Sequence, residues 1–236
     1  KNDFAKLDPL LSHLVSLVIE VGQAKSEALG IDPYDALLDE FDPGVRAADI
    51  DPLFDGLEEF LPKFRAKVQE AQAAGPQPEP LAGSFSVADQ RALAERLMHQ
   101  LGFDFEFGRL DVSHHPFTGG VPDDVRITTR YYESDFTQSL MGVLHETGHA
   151  LYERGLPGQW RHQPVGAARG MTLHESQSLI IEMLACRSEP FIRYLTPLVC
   201  ETFGGDGPAW QPENLIRHYR RVEPGLIRVD ADEVSY

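Results

Sequence analysis

The sequence predicts a mainly α-helical protein with a small antiparallel β-sheet embedded in it. Three observations carry this. Apolar residues recur at helical spacing over most of the chain, period-two alternation is confined to Phe103–Tyr132, and the Gly and Pro clusters fall between periodic stretches. At 236 residues the chain can bury a sizeable core without a disulfide or a structural metal.

From Pro9 to Leu29, Leu10, Leu11, Leu14, Val15, Val18 and Val21 make one helical face, and Gly30 is placed to stop it. A second helix is expected from Asp51 to Ala74, with Leu53, Leu57, Phe60, Leu61, Phe64 and Val68 as its apolar side. Pro52 is tolerated in its first turn, whereas Pro62 predicts a kink or a division. The Pro- and Gly-rich stretch from Gly75 to Gly83 reads as a loop. Ser86 is placed as N-cap of a helix carrying Leu93, Leu97 and Leu101, which Gly102 ends. Phe103, Phe105 and Phe107 then alternate with polar residues or Gly, and Val125, Ile127 and Thr129 alternate with Arg126, Thr128 and Arg130, giving the two strand candidates. Helical patterning resumes from Phe136 through Arg154 and from Thr172 to Tyr194. With no internal repeat, residues 1–236 read as one region: a helical part over 1–74, a loop over 75–85 and a metal-motif part over 86–236.

The 21 basic and 37 acidic side chains leave a net charge of −16, which argues against nucleic acid and favours a small soluble substrate. Cys186 and Cys200 lack C-x-x-C spacing and read as free thiols, pointing to a cytoplasmic setting. No apolar run approaches the ~20 residues that span a bilayer, and Lys1 to Phe4 show no signal-peptide pattern, so no membrane partner is expected.

The sharpest feature is His145-Glu146-Thr147-Gly148-His149, an H-E-x-x-H motif on a helix buried through Leu140, Leu144 and Leu151. Four residues bring the two histidines about 40° apart around a helix, one turn above the other, so both can reach one ion. Glu146 points elsewhere and suits a water better than the ion. Two nitrogens and one carboxylate leave a fourth position open, as a catalytic zinc site requires. Glu175 is the expected third ligand, because the Gly- and Pro-rich stretch Gly155–Gly170 lets the chain turn back. Glu153 and Glu182 are rival acids that read as solvated helix faces, and His174 reads as a neighbour of the ligands rather than a fourth one. Gly148 inside the helix predicts a close approach by another element.

His115-Pro116-Phe117, Asp124-Val125-Arg126-Ile127-Thr128, the H-E-x-x-H segment, His174-Glu175-Ser176-Gln177 and Ile227-Arg228-Val229-Asp230-Ala231-Asp232 occur in one order along the chain. In these motifs, and in Tyr34–Glu40 and Gly102–Asp104, the sequence resembles the thermostable carboxypeptidase family typified by carboxypeptidase Taq. The resemblance covers most of the chain from about Asp32 onward. It implies a helical zincin-like metallopeptidase core, zinc held by His145, His149 and Glu175 with cobalt or another divalent ion as a substitute, Glu146 as general acid/base, a peptide substrate and a homodimer. Members are about twice this length, so the chain reads as a piece truncated at both ends.

Within that expectation His115 is the candidate oxyanion donor. Arg228 is the first and Arg126 the second candidate for the substrate's terminal carboxylate, which a guanidinium fork binds through two parallel bonds. An ion pair with a nearby Asp is the competing role for either arginine. Two alternatives stay open: a metallo-oligopeptidase or endopeptidase, and an inactive piece that only binds peptide.

Overall fold

In the computed structural model of the protein, residues 3–225 and Val234 are described. The chain divides into two compact units, Lys1–Phe60 with Arg169–Thr172, and Leu61–Ala168 with Leu173–Tyr236.

In the first unit, helix α1 (Phe4–Leu29) ends where Gly30 turns into the left-handed region and donates to Ser26 O. Asp32 then starts α2 (Pro33–Phe41) by accepting the Tyr34 N–H at 2.8 Å, satisfying one of the donors a helix start leaves open. Gly22 of α1 lies against the Leu37 side chain of α2. Helix α3 (Ala47–Ala74) runs unbroken through Pro62, so of the expected kink or division the division does not occur. Proline removes one backbone hydrogen bond, and the turns on either side keep theirs. The boundary between the two units nevertheless falls just before it, after Phe60.

After the C-terminal part of α3, the second unit continues with α4 (Val87–Leu101), capped by Ser86 Oγ, which accepts the Asp89 N–H at 3.1 Å, and ended by Gly102. The alternating phenylalanines beyond it do not form the expected strand. Asp104 accepts the Glu106 N–H at 2.9 Å and bends Phe105–Phe107 into a 3-10 turn. The alternation instead serves packing, with Phe103 and Phe105 edge-to-face at 4.9 Å.

Strands β1 (Gly108–Val112), β2 (Phe117–Val121) and β3 (Asp124–Thr129) form one sheet in the order β1-β3-β2. β2 and β3 are antiparallel, with Thr118 opposite Ile127, whereas β1 and β3 are parallel, with Leu110 opposite Ile127. The sheet is therefore mixed rather than antiparallel. Pro122 and Asp123 close a two-residue hairpin, and β3 folds back between β2 and β1, so it meets the earlier strand in the same direction. β2 carries no clear strand signal because Gly119 and Gly120 interrupt it. Gly120 is required there: its φ is +107°, and a Cβ would stand 2.2 Å from Asp124 O.

Val125 and Ile127 point one face of β3 into the core, where they join Leu93, Leu97 and Met98 of α4 and Leu140, Val143 and Leu144 of α5 (Thr137–Gly155). Asp135 accepts the Thr137 N–H at 2.8 Å at the start of α5. Beyond it lie α6 (Met171–Leu179), a π-helical segment (Ile180–Cys186), α7 (Glu189–Phe203) and α8 (Pro212–Tyr219). The single helix expected from Thr172 to Tyr194 is thus divided. Ser188 starts a new helix with Pro190 in its first turn. Ile192, Leu195 and Val199 of α7 complete the core, and Phe85, Phe136, Phe203 and Trp210 pack ring against ring. Both cysteines are free. Among the described residues no helix is long and apolar enough to cross a membrane.

Candidate metal centre

Helix α5 is buried along Leu140, Val143, Leu144, Thr147, Gly148 and Ala150, which fixes its rotation and leaves His145 and His149 on its half-buried side. The segment Gly155–Gly170 reverses the chain, and α6 returns along α5. Gly148 permits this contact: a Cβ there would lie 2.6 Å from Ser178 Cα and 2.7 Å from Gln177 O. The expected close approach at Gly148 is the approach of α6.

That packing brings Glu175 to both histidines. His149 Nε2 stands 3.2 Å from Glu175 Oε2, and His145 Nε2 stands 3.6 Å from Glu175 Oε1. One ligand atom from each residue lies within 4.8 Å of the others. Ligands at zinc distances in a tetrahedral shell are separated by about 3.4 Å. The donor set and its spacing therefore fit a divalent ion such as zinc, with both imidazoles offering Nε2.

The other nitrogen of each ring is also engaged. His145 Nδ1 lies 2.9 Å from Glu182 Oε2, and Glu182 Oε1 accepts Arg187 Nη2 at 2.6 Å. His149 Nδ1 lies 2.7 Å from His174 Nδ1, and His174 Nε2 lies 2.7 Å from Glu153 Oε1. Glu182 and Glu153 therefore do not lie on solvated faces as expected. Their side chains are mostly covered, at 12% and 26% exposure, and bonded to the rings of His145 and His174. Sequence reasoning missed them because a helical Glu looks the same on either face until the partner helix is placed.

In the ion-free protein, burial alone would pull the His145 pKa down. The bond to Glu182 and the charges of Glu182, Glu175 and Glu146 outweigh it and hold the pKa above the ordinary histidine value. Burial pushes Glu182 up, but His145 and Arg187 together lower it below the ordinary carboxylate value. Glu175 is lowered chiefly by its bond to His149.

Glu146 is buried and turned toward the sheet. Its Oε2 accepts the Thr118 hydroxyl at 2.6 Å, and that hydroxyl also lies 2.9 Å from Glu146 O. Thr118 sits on β2, the strand without a sequence signal, so its part was not legible beforehand. The hairpin is also pinned near the end of α5, where Arg154 donates to Pro122 O at 2.9 Å and covers the Phe107 ring.

The sequence matches the carboxypeptidase Taq (M32) metallopeptidase family over residues 1–236. The chain belongs to that family. It is 40% identical over 246 residues to thermostable carboxypeptidase 1 of Thermus thermophilus, and 35% identical over 245 residues to that of Pyrococcus furiosus. All of this chain aligns in both, against 48% and 47% of those proteins, so it spans about half their length. Among solved structures, Trypanosoma cruzi metallocarboxypeptidase 1 superposes with a TM-score of 0.89 at 45% identity, over 97% of this chain and 47% of the other. The M32 carboxypeptidase of Deinococcus radiodurans superposes with a TM-score of 0.82 at 35% identity, over 99% and 46%.

Two of the remaining candidates in this M32 chain, His115 and Arg126, have hydrogen-bond partners outside the three ligand-type side chains. His115 is exposed in the β1–β2 connection, and its hydrogen bonds run through its backbone, from its N–H to Ser113 Oγ and from Thr128 Oγ1 to its carbonyl. Among the described residues no hydrogen bond links its ring to the cluster. The adjoining Pro116 faces α5 at Gly142, where a Cβ would lie 3.7 Å from its Cγ. Arg126 is exposed on β3 and donates through Nε and Nη2 to Asp124, an ion pair as the competing role anticipated. Arg228 lies outside the described residues.

Proposed function

We propose that the protein is a zinc-dependent metallocarboxypeptidase that hydrolyses the C-terminal peptide bond of peptides. The convergence of His145 Nε2, His149 Nε2 and the Glu175 carboxylate, with the Glu146 carboxylate alongside, carries the reading. A divalent ion held by these three residues would supply Lewis acidity and a water acidified toward neutral pH.

Glu146 takes the proton from the attacking water and returns it to the leaving amine, as general base and then general acid. The Thr118 hydroxyl fixes its rotation by bonding to Oε2, which leaves Oε1 to meet the water. A structural metal site has no use for such an oriented carboxylate, so Glu146 favours a catalytic site over a vestigial one. His115 is proposed as a donor to the developing oxyanion, which requires its exposed ring to turn toward substrate. Arg228 is proposed to bind the terminal carboxylate, with Arg126 as second choice. A cytoplasmic setting, supported by the two free thiols, and a homodimer complete the reading.

One observation favours the second reading, a metallo-oligopeptidase. The guanidinium of Arg126, the second-choice reader of a free carboxylate, is already held by Asp124. The test is release of the terminal amino acid from a blocked dipeptide after chelation and after return of zinc. Zinc-dependent release from the free acid and not from its C-terminal amide supports the carboxypeptidase. Equal cleavage of acid and amide supports the oligopeptidase.

A further inference from the structure

The outer partners of the two imidazoles form hydrogen-bonded chains whose donors and acceptors match at every link. A histidine that offers Nε2 to an ion carries its proton on Nδ1. For His145 that Nδ1–H points at Glu182 Oε2, 2.9 Å away, and a carboxylate can only accept. For His149 the Nδ1–H points at His174 Nδ1, 2.7 Å away. His174 must then accept at Nδ1 and carry its own proton on Nε2, which faces Glu153 Oε1 at 2.7 Å. Two carboxylates, Glu182 directly and Glu153 through His174, thus select the same tautomer in both ligand-type rings.

The π-helical segment explains how Glu182 is held. Its bonds run from residue i to i+5, and the Arg187 N–H accordingly donates to Glu182 O at 3.1 Å. The widened turn carries the Arg187 side chain back over Glu182, where Nη2 donates to Oε1 at 2.6 Å. In an α-helix, residues five apart lie about 140° apart around the axis and do not meet in this way. The same two residues are therefore tied through backbone and side chain, leaving Oε2 aimed at His145. Glu182 is 12% exposed, so water competes little for the carboxylate.

We propose that Glu182, clamped by Arg187 across this π-turn, and Glu153, acting through His174, are positioning residues that set the tautomer and aim of His145 and His149. The proposal rests on the metal-site reading above and adds residues outside the H-E-x-x-H and Glu175 set. Arg187 acts at one further remove, since it touches Glu182 and not the ring.

The test is zinc affinity by competition with a chromophoric chelator, for the wild type and for Glu182→Gln, Glu153→Gln, Arg187→Met, Arg187→Lys and the Glu182→Gln/Arg187→Met double variant. Glu182→Gln and Glu153→Gln each weaken binding by about 10- to 100-fold, the usual effect of losing a ligand's outer partner. Arg187→Met weakens it less, Arg187→Lys recovers part of the loss, and Arg187→Met adds nothing once Glu182 is Gln. Circular dichroism of the ion-free forms stays at the wild-type signal, which separates positioning from collapse of the fold. Unchanged affinity in both Gln variants, or additive losses at Glu182 and Arg187, overturns the proposal and leaves the metal site standing. A wild type that binds no zinc overturns the metal-site reading and this proposal with it.

Discussion

Gly148 and Ser178 meet so closely that a Cβ on Gly148 would lie 2.6 Å from Ser178 Cα, with Gln177 O at 2.7 Å. Both obstacles are backbone, so neither can swing aside. α6 carries Glu175 and leads into the segment that carries Glu182, which itself packs on α5, so this contact helps set the distance of both acids from the histidines.

Gly148→Ala should therefore push α6 away from α5. We expect a loss of stability of about 1–3 kcal/mol, typical of overpacking, together with weaker zinc binding. Thermal denaturation and a zinc titration of the same variant check both. Full wild-type zinc affinity would show that the ligands do not depend on this contact.

Thr118→Val removes the hydroxyl that holds Glu146 and keeps the side chain's shape. Turnover number should fall by about tenfold or more, part of the ~10²–10⁴ that a positioned acid–base group contributes. Zinc affinity and KM should change little, and Thr118→Ser should retain most of the activity. Steady-state kinetics on the three proteins decide it.

The pH dependence of the ion-free protein follows from the shifts at the centre. His145 has a raised pKa when folded, so its contribution to stability is complete below its unfolded value and is lost as pH rises through the folded one. Glu175 and Glu182 are lowered, so theirs is present above the unfolded carboxylate value and lost as pH falls through the folded ones. Zinc must displace the His145 proton, so its stabilising effect should grow with pH across that raised value. Melting temperatures with and without zinc, from about pH 5 to pH 8, test this. A zinc-induced shift independent of pH would contradict it.

Arg228→Lys should lower kcat/KM for a free-acid peptide by about 10- to 100-fold, the loss of one charge-assisted bond, and bring no release from the amide. Arg126→Lys should do less, because Asp124 already shares that guanidinium. Paired kinetics on acid and amide substrates separate the two arginines.

Much of this arrangement was legible in the residues themselves. The helix stops at Gly30 and Gly102 and the cap at Ser86 follow from local chemistry that needs no tertiary partner. The convergence of Glu175 on the two histidines followed from one turn of helix and a flexible return. What stayed hidden depends on other elements. β2 lacks a strand pattern because Gly120 answers to the neighbouring backbone and Gly119 to the Phe117 ring, and with it Thr118 was lost from view. Phe103, Phe105 and Phe107 mimic a strand because edge-to-face packing and alternation produce the same spacing, while Asp104 bends the chain. Glu182 and Glu153 acquire a role only once α6 lies along α5, and the π-turn that clamps Glu182 has no simple sequence period.

The most direct measurement of the central claim is the turnover of Glu146→Gln at zinc occupancy matched to the wild type. Our account predicts that the ion still binds and that turnover falls by about 10²–10⁴, because the ligands are intact and the proton carrier is gone. Wild-type turnover with zinc bound would contradict the assigned acid–base role, and absence of turnover in both proteins would leave a peptide-binding domain with a metal site.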